Sequence, residues 1–164
     1  MTTVRDIDWA VWTPNEVATL LYVVRDGQVL LMEKKRGIGA GKINGPGGRV
    51  HPQETALAAA VRETEEELRV TPLDAREAGE VLFHVLDGIS IHIHVFRADG
   101  LSGEPRETEE AVPVWVSADA VPFDRMWEDD RYWFPHLLAG RWFVARTVFR
   151  GDDLVSYEIV TPES

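Results

Sequence analysis

The sequence predicts an α+β sandwich, and three observations support this. Apolar segments of strand length recur along the chain and are joined by turns such as Asp26-Gly27 and Asp87-Gly88. One longer segment, residues 55–68, has no Gly or Pro and is rich in Ala, Leu, Arg and Glu, which favour helix. The 164 residues are enough for a single domain, residues 1–164, with its own core.

The N-terminal part predicts an extension followed by a hairpin. Residues 1–16, which carry Trp9 and Trp12, match no known pattern, so their role is left open between surface packing and closure over a site. Residues 17–24 and 29–32 are apolar and flank Asp26-Gly27, a dipeptide that favours a tight hairpin turn. A glycine-rich loop then leads to the long helix.

The long helix is predicted over residues 55–68. Thr55 is the expected N-cap, and Pro52 prevents an earlier start. The expected core-facing stripe recurs at steps of four, three and four residues and consists of Leu57, Val61, Thr64 and Leu68.

The C-terminal part predicts two more hairpins and a second helix. The hairpin strands are residues 81–86, 89–96, 143–149 and 154–160. A short strand at 112–116 follows a polar loop at 100–109, and a helix is expected over 130–138 with an Asp at its start as N-cap.

Composition limits the possible partners. The formal net charge is −11, from 28 acidic and 17 basic residues, which disfavours nucleic-acid polymers and anionic membranes. No Cys is present, which excludes disulfides and thiol catalysis. No signal-peptide or transmembrane stretch is evident in the sequence, so a cytoplasmic protein is expected.

A cluster of carboxylates on the long helix indicates a metal site. Glu63, Glu66 and Glu67 are three and four residues apart, so their side chains should share one helix face. Such hard oxygen ligands suit Mg²⁺ or Mn²⁺. Composition alone favours an ordinary solvated acidic face. The preceding loop, residues 45–48, favours the metal site, because its glycines allow backbone N–H groups to approach a phosphate closely.

The segment from Gly48 to Val70 resembles the Nudix box, the signature of the Nudix hydrolases: Gly, five residues, Glu, seven residues, Arg-Glu-aliphatic-x-Glu-Glu-x-Gly-aliphatic. The matching residues are Gly48, Glu54, Arg62, Glu63, Glu66, Glu67 and Val70. Two positions depart: Thr64 replaces an aliphatic residue, and Arg69 replaces the glycine that normally ends the helix. The resemblance implies a Nudix-type α/β/α sandwich with a mixed sheet.

Two further stretches, residues 34–45 and 122–135, resemble the oxidised-purine nucleoside triphosphatases, the 8-oxo-dGTPase branch related to MutT. With them the resemblance covers most of the chain. It implies Mg²⁺-dependent hydrolysis of an oxidised purine nucleoside triphosphate to monophosphate and pyrophosphate. The implied partner is a small-molecule nucleotide, and the chain could be a monomer or a dimer.

The resemblance also implies a role for each site residue. The implied metal ligands are the Gly48 carbonyl, Glu63, Glu66, Glu67 and Glu110. The implied catalytic set is Glu66, Glu67, Glu110 and Arg62, in which Arg62 orients the glutamates without touching substrate. The implied substrate-binding residues are Asn44, Trp127, Asp129, Asp130, Phe83 and Lys34.

Within the substrate-binding set, Trp127 would stack on the base and the two aspartates would meet its ring edge. Asn44 would complete the edge contacts, and Lys34 would steady the triphosphate. Ile38 and Pro46 depart from the branch, which leaves the base preference open.

Three alternatives stay open. A Nudix hydrolase could instead act on dinucleoside polyphosphates, nucleotide sugars or capped RNA, although no added segment supplies room for a second moiety. A non-catalytic nucleotide sensor would be expected to lack a box glutamate, and none is missing. His92 and His94 alternate along one strand and point to one face, but a zinc site needs a third ligand and none is marked nearby, so ordinary strand histidines are expected.

Overall fold

The computed structural model describes residues 1–162 and is built on a nine-stranded mixed sheet. In chain order the strands are β1 (Glu16–Arg25), β2 (Gln28–Lys34), β3 (Ile43–Asn44), β4 (Gly47–Arg49), β5 (Thr71–Leu73), β6 (Arg76–Val85), β7 (Ser90–Ala98), β8 (Gly100–Ser102), β9 (Ala111–Ser117), β10 (Phe143–Arg150) and β11 (Asp153–Val160). Strands β5 and β8 form a separate two-stranded sheet, and the other strands form the large one. The helices are α1 (Ala56–Leu68) and α2 (Asp130–Ala139), with short 3-10 helices at Val4–Asp6 and Phe123–Arg125.

Strand β1 organises the sheet, because it has a different partner at each end. Its second half pairs antiparallel with β2, its first half pairs antiparallel with β4, and β7 runs parallel to it along the other edge. The approach of β4 requires glycine, since a Cβ on Gly47 would lie 1.8 Å from the Thr19 carbonyl oxygen. Strand β4 therefore reaches β1 at the start of the box, directly before α1.

The remaining strands extend the sheet as mixed pairs. Strand β6 pairs antiparallel with β7 and parallel with β10, and β10 forms a hairpin with β11. The three predicted hairpins are confirmed. Asp26, Gly27 and Asp87 adopt positive φ at two of the turns, as tight hairpins require.

The two helices cover opposite faces of the sheet. On one face, Ala60 and Leu68 of α1 pack with Leu21 and Val23 of β1. On the other, a larger cluster joins α2 to the sheet and contains Tyr22, Trp133, Phe134 and Leu137. Because neighbouring residues of β1 alternate between the two clusters, the predicted α/β/α sandwich with a mixed sheet is confirmed.

Helix α1 has the predicted N-cap, and its buried face matches the predicted stripe at Thr64 and Leu68 but not at Leu57. The Thr55 hydroxyl accepts a hydrogen bond from the Ala58 amide at 3.1 Å. Leu57, however, is 43% exposed, and the buried positions are Ala59, Ala60, Thr64, Glu67 and Leu68. Thr64 is accommodated because its hydroxyl donates to the Ala60 carbonyl at 2.8 Å. The helix is therefore rotated so that Glu67 is buried.

Helix α1 ends without a glycine. Arg69 itself adopts the left-handed conformation, with φ 61°, and its N–H donates to the Glu65 carbonyl. This conformation costs a non-glycine residue roughly 1–2 kcal/mol. The chain therefore makes the helix-ending turn of the box pattern, although Arg69 stands where that pattern has glycine.

Two predictions about the C-terminal half are wrong in detail. The expected polar loop at 100–109 begins with strand β8, which pairs with β5. Asp129 occupies the N-cap position of α2 but makes no capping hydrogen bond. Its carboxylate instead accepts from the Trp133 indole N–H at 3.0 Å. The aspartate is thereby held in the core.

The N-terminal extension packs on the sheet. The Val4 amide donates to the Ser156 hydroxyl at 2.8 Å, and Val4 is buried. Trp12 donates its indole N–H to His84 Nδ1 at 3.1 Å. Among the residues that the structure describes, no helix has the length and apolar character needed to cross a bilayer.

Candidate active site

Strand β4 brings the backbone of the glycine loop against the acidic side of α1. A Cβ on Gly48 would lie 2.6 Å from the carboxylate carbon of Glu63. The Glu63 carboxylate therefore packs directly on the Gly48 backbone, which only glycine permits at this distance. This contact places the Gly48 backbone and a carboxylate side by side, and both carry the oxygen ligands that a hard cation uses.

Arg62 links three of the box carboxylates. Its Nε and Nη2 donate to the two Glu54 oxygens at 2.7 and 3.0 Å. Its Nη1 donates to Glu63 at 2.8 Å and approaches Glu66 at 3.4 Å. The two-point hydrogen bond from Arg62 lowers the pKa of Glu54 to about 2. The single guanidinium of Arg62 thus joins Glu54, Glu63 and Glu66.

Glu67 is the buried carboxylate of the site. It is 3% exposed, and its Oε1 accepts a hydrogen bond from the Gly47 amide at 3.2 Å. Burial, together with the neighbouring Glu63 and Glu110 carboxylates, raises the pKa of Glu67 well above the ordinary value for Glu. A buried carboxylate beside two others is stabilised by a bound cation, so this set fits a divalent metal.

Glu110 reaches the site through Thr108. The Thr108 hydroxyl donates to the Glu67 carbonyl at 2.8 Å and accepts from the Glu110 amide at 3.2 Å. Arg36 Nη2 lies 3.8 Å from Glu110 Oε1. The loop before β9 is therefore fastened to the end of α1, which brings Glu110, 43 positions from Glu67 in sequence, close to the box helix.

The box carboxylates lie near one another, but their oxygens do not converge on one point. Among the residues described, they form no group of three whose ligand atoms all lie within 4.8 Å of one another. Arg62 pairs with both Glu63 and Glu66, but Glu63 packs on Gly48 whereas the Glu66 side chain is 52% exposed. Glu66 and Glu110 instead line an open groove of about 1000 Å³, together with the cations Lys35, Arg36, Arg69 and Arg106.

A second cavity of about 250 Å³ connects the glycine loop to the residues expected to bind a base. Gly47 and Gly48 line one part of its wall. All six residues implied in substrate binding also line it: Lys34, Asn44, Phe83, Trp127, Asp129 and Asp130. Residues far apart in sequence thus meet in one cavity that includes the carbonyl end of the candidate metal site.

Trp127 forms an aromatic wall of this cavity. Phe83 and Phe149 meet it edge to face, with ring centroids 5.4 and 5.7 Å away. The ammonium of Lys42 lies 4.9 Å from the Trp127 ring centroid, a cation–π distance. Lys34 donates its ammonium to the Ile38 carbonyl at 2.8 Å, which fixes the loop that borders the cavity.

Asn44 is oriented by Tyr22. The Asn44 Oδ1 accepts from the Tyr22 hydroxyl at 2.7 Å and from the Gly45 amide at 2.9 Å. Because both contacts use the oxygen, the amide NH₂ group is left as the available donor. Tyr22 is fully buried beneath the cavity, so it is a positioning residue for Asn44.

Asp129 and Asp130 are both almost completely buried, at 3% and 4% exposure. One oxygen of Asp129 accepts from Trp133, but Asp129 Oδ1 and Asp130 Oδ2 have no hydrogen-bond partner. Burial raises the pKa of both carboxyls, and the charge of Asp129 raises that of Asp130 further. The pair therefore combines a carboxyl that favours its protonated form with two buried oxygens that have no hydrogen-bond partner in the protein.

The aspartate pair gives the folded protein a pH-dependent stability. Because the pKa values are raised on folding, the contribution is fully present below about pH 4, the usual unfolded value, and is lost as pH rises through the folded pKa values. We expect the free energy of unfolding of the metal-free protein to fall more steeply as pH rises above about pH 4 than that of Asp130→Asn does. Urea unfolding of both proteins measures the difference. Glu67 is present in both proteins, so its contribution cancels in the comparison. If the free energies of unfolding of the two proteins changed in parallel with pH, the raised pKa values would be contradicted.

Sequence reasoning assigned no site role to Tyr22, Thr108 or Trp133. The spacing of four residues between Asp129 and Trp133 on a predicted helix was an available signal for one of them. Tyr22 and Thr108 contact residues that are distant in sequence, and no local sequence pattern indicates these contacts.

Comparison with known proteins agrees with this geometry. Residues 14–137 match the family model described as the NUDIX domain. A Danio rerio protein named oxidized purine nucleoside triphosphate hydrolase is 42% identical over 86% of this chain and 91% of its own length. A Mus musculus protein of the same name is 38% identical over 88% of this chain and 94% of its own length.

The fold has the same relatives. A crystal structure of a MutT protein from Bacillus halodurans superimposes with a TM-score of 0.80, at 27% identity, over 91% of this chain and 99% of that one. The family match covers the box, the glycine loop and the cavity residues up to α2. This chain therefore belongs to the Nudix family and is a Nudix hydrolase.

Proposed function

We propose that this chain hydrolyses oxidised purine nucleoside triphosphates to the monophosphate and pyrophosphate with Mg²⁺, or Mn²⁺ in its place. The role would be to remove damaged nucleotides from the cytoplasmic pool. The observation that carries the proposal is the single cavity lined by Gly48 at the metal side and by Trp127, Asp129 and Asp130 at the base side. The names of the 42% and 38% identical relatives support the same substrate class.

Members of this family generally use a divalent metal ion. The residues that would hold it here are Glu63, Glu67 and the Gly48 carbonyl, with Glu66 and Glu110 at the outer side. All are hard oxygen donors, which suit Mg²⁺. When bound, the ion neutralises negative charge on the phosphate oxygens. An acidic protein can then accept a triphosphate that its own charge would repel.

The carboxylates supply positioning and proton transfer. Arg62 holds Glu54, Glu63 and Glu66 in fixed orientations, which keeps the Glu63 and Glu66 carboxylates on the face of α1 where the ion would bind. Glu66 and Glu110 border the open groove, so either can accept a proton from an attacking water. The cations in that groove, Lys35, Arg36, Arg69 and Arg106, can pair with the departing pyrophosphate.

The base side can distinguish an oxidised purine by hydrogen bonding. Trp127 offers a flat surface for stacking. The protonated carboxyl of the aspartate pair donates to a carbonyl oxygen of the base, and the other carboxyl accepts from a ring or exocyclic N–H. The Asn44 amide adds a donor whose direction Tyr22 fixes. A base that lacks a matching group would leave a buried polar atom unpaired, which costs about 1–3 kcal/mol.

A substrate panel tests this proposal. We expect kcat/KM with Mg²⁺ for 8-oxo-dGTP or 2-oxo-dATP to exceed that for dGTP by roughly ten- to a hundredfold, and a chelator to abolish all activity. A dinucleoside tetraphosphate serves as the comparison for a larger substrate. Faster hydrolysis of the dinucleotide would favour the other Nudix substrate classes, and binding without hydrolysis of any nucleotide would favour a sensor.

A further inference from the structure

The sheet carries a second group of metal-binding side chains, which shares no residue with the candidate active site. Glu80 of β6 is directly opposite His94 of β7 in the strand register, and His92 lies two residues along the same face. Ile91 and Ile93, which alternate with these histidines, line the substrate cavity on the other face. The group is therefore on the reverse side of the two strands that form part of the cavity wall.

The three side chains converge closely. One ligand atom from each of Glu80, His92 and His94 can be chosen so that all three lie within 4.8 Å of one another. His92 Nε2 is 2.8 Å from Glu80 Oε1, and the two imidazole rings stack with centroids 4.5 Å apart. Two ligands of one zinc ion, each at about 2.0–2.1 Å from it, are separated by roughly 3.3 Å in tetrahedral geometry. The ligand atoms would therefore have to approach one another by roughly 1.5 Å at most to share one ion.

Glu77 supplies the support that a ligating histidine needs. Its carboxylate contacts Nδ1 of His94, which leaves Nε2 of that ring free for an ion. In metal sites a carboxylate hydrogen-bonded to the second ring nitrogen fixes the tautomer and strengthens the ligand. The sequence did not reveal the third ligand, because Glu80 reaches the histidines only through the pairing of β6 with β7.

The chemistry of the set differs from that of the box. Two imidazoles and one carboxylate suit zinc and similar transition metals, whereas the box offers only oxygen donors, which suit Mg²⁺. The side chains of Glu80, His92 and His94 are 25%, 28% and 22% exposed, so an ion could enter from solvent. Arg146 occupies the same face of β10 but pairs with Glu158 at 3.5 Å, and so leaves the carboxylates of the group available.

We propose that Glu80, His92 and His94 form a binding site for a zinc-class divalent ion, with Glu77 as the positioning residue for His94. Three protein ligands leave a fourth position for water. An ion at this site would clamp β6 to β7 behind the cavity wall. The proposal is independent of the substrate and of the box carboxylates.

Zinc titration of the full chain, prepared without a polyhistidine tag, tests this site. Calorimetry is run in excess Mg²⁺, so that the hard oxygen ligands of the box are occupied. We expect one zinc ion per chain, and cobalt(II) should develop the visible absorption of a tetrahedral site. His92→Gln and His94→Gln should each weaken zinc binding by at least about a hundredfold, and Glu77→Gln by about tenfold.

Two controls separate this site from others. His84→Gln removes a histidine from the same face of β6, and Glu67→Gln alters the box; both should bind zinc as the wild type does. Circular dichroism confirms that each variant is folded. No zinc binding by the wild type would overturn the proposal, as would unchanged affinity in both folded His92→Gln and His94→Gln. Loss of zinc binding in Glu67→Gln would assign the ion to the box instead.

Discussion

Glu67→Gln is expected to lower turnover by about 10²-fold or more while the protein stays folded. The carboxylate is buried beside Glu63 and Glu110, where its negative charge supports the cation that offsets transition-state charge. The glutamine oxygen can still accept the hydrogen bond from the Gly47 amide, so the local structure should persist. Steady-state kinetics with 8-oxo-dGTP, together with the thermal unfolding midpoint, measures both effects.

Glu65→Gln is the matched control for this substitution. Glu65 is exposed and accepts a hydrogen bond from the Thr71 hydroxyl at 2.8 Å, on the side of α1 away from the Gly48 backbone. Its substitution should change kcat by less than about twofold, because it removes an exposed charge that meets no site residue. Equal losses in the two variants would show that the acidic face of α1 has been assigned incorrectly.

Asp129→Asn and Asp130→Asn are expected to change the ratio of 8-oxo-dGTP to 2-oxo-dATP turnover by roughly ten- to a hundredfold. The two carboxyls can exchange donor and acceptor roles by moving one proton, which suits two oxidised bases with different edges. An asparagine fixes one side as neutral and removes that exchange. The size follows from the loss of a buried contact, about 1–3 kcal/mol.

The Mg²⁺ dependence of activity and one control variant are measured alongside the substrate ratio. The Mg²⁺ concentration for half-maximal activity should stay near the wild-type value in both variants, since the aspartates line the base side of the cavity. Asp124→Asn changes an exposed carboxylate five residues before Asp129 and should leave the substrate ratio unchanged. Wild-type ratios in both aspartate variants would place the base elsewhere and remove the main structural support for the substrate class.

Local chemistry made much of the fold predictable. The hairpin turns, the Thr55 cap and the helix over the box follow from residues that act on their immediate neighbours. Of the predicted core stripe of α1, Thr64 and Leu68 are buried but Leu57 is exposed, and the small side chain of Ala60 packs against β1 instead. Helix packing, which the sequence pattern does not specify, decided the difference.

The parts of the site that a sequence motif marks could be predicted. The parts that depend on strand register or on contacts between distant segments could not. The spacing of Glu63 and Glu67 marks the helix face, and the cavity gathers the residues implied by the family resemblance. The support given by Tyr22 to Asn44, and by Thr108 to Glu110, depends on contacts between distant segments. The group formed by Glu80 with His92 and His94 likewise depends on the pairing of β6 with β7.

Identification of the products tests the central claim most directly. The full chain is incubated with 8-oxo-dGTP and Mg²⁺, and the phosphorus species are followed by NMR. We predict pyrophosphate and the nucleoside monophosphate in equal amounts, with no reaction in the presence of chelator. Orthophosphate and the nucleoside diphosphate as the only products would contradict the proposed pyrophosphohydrolase.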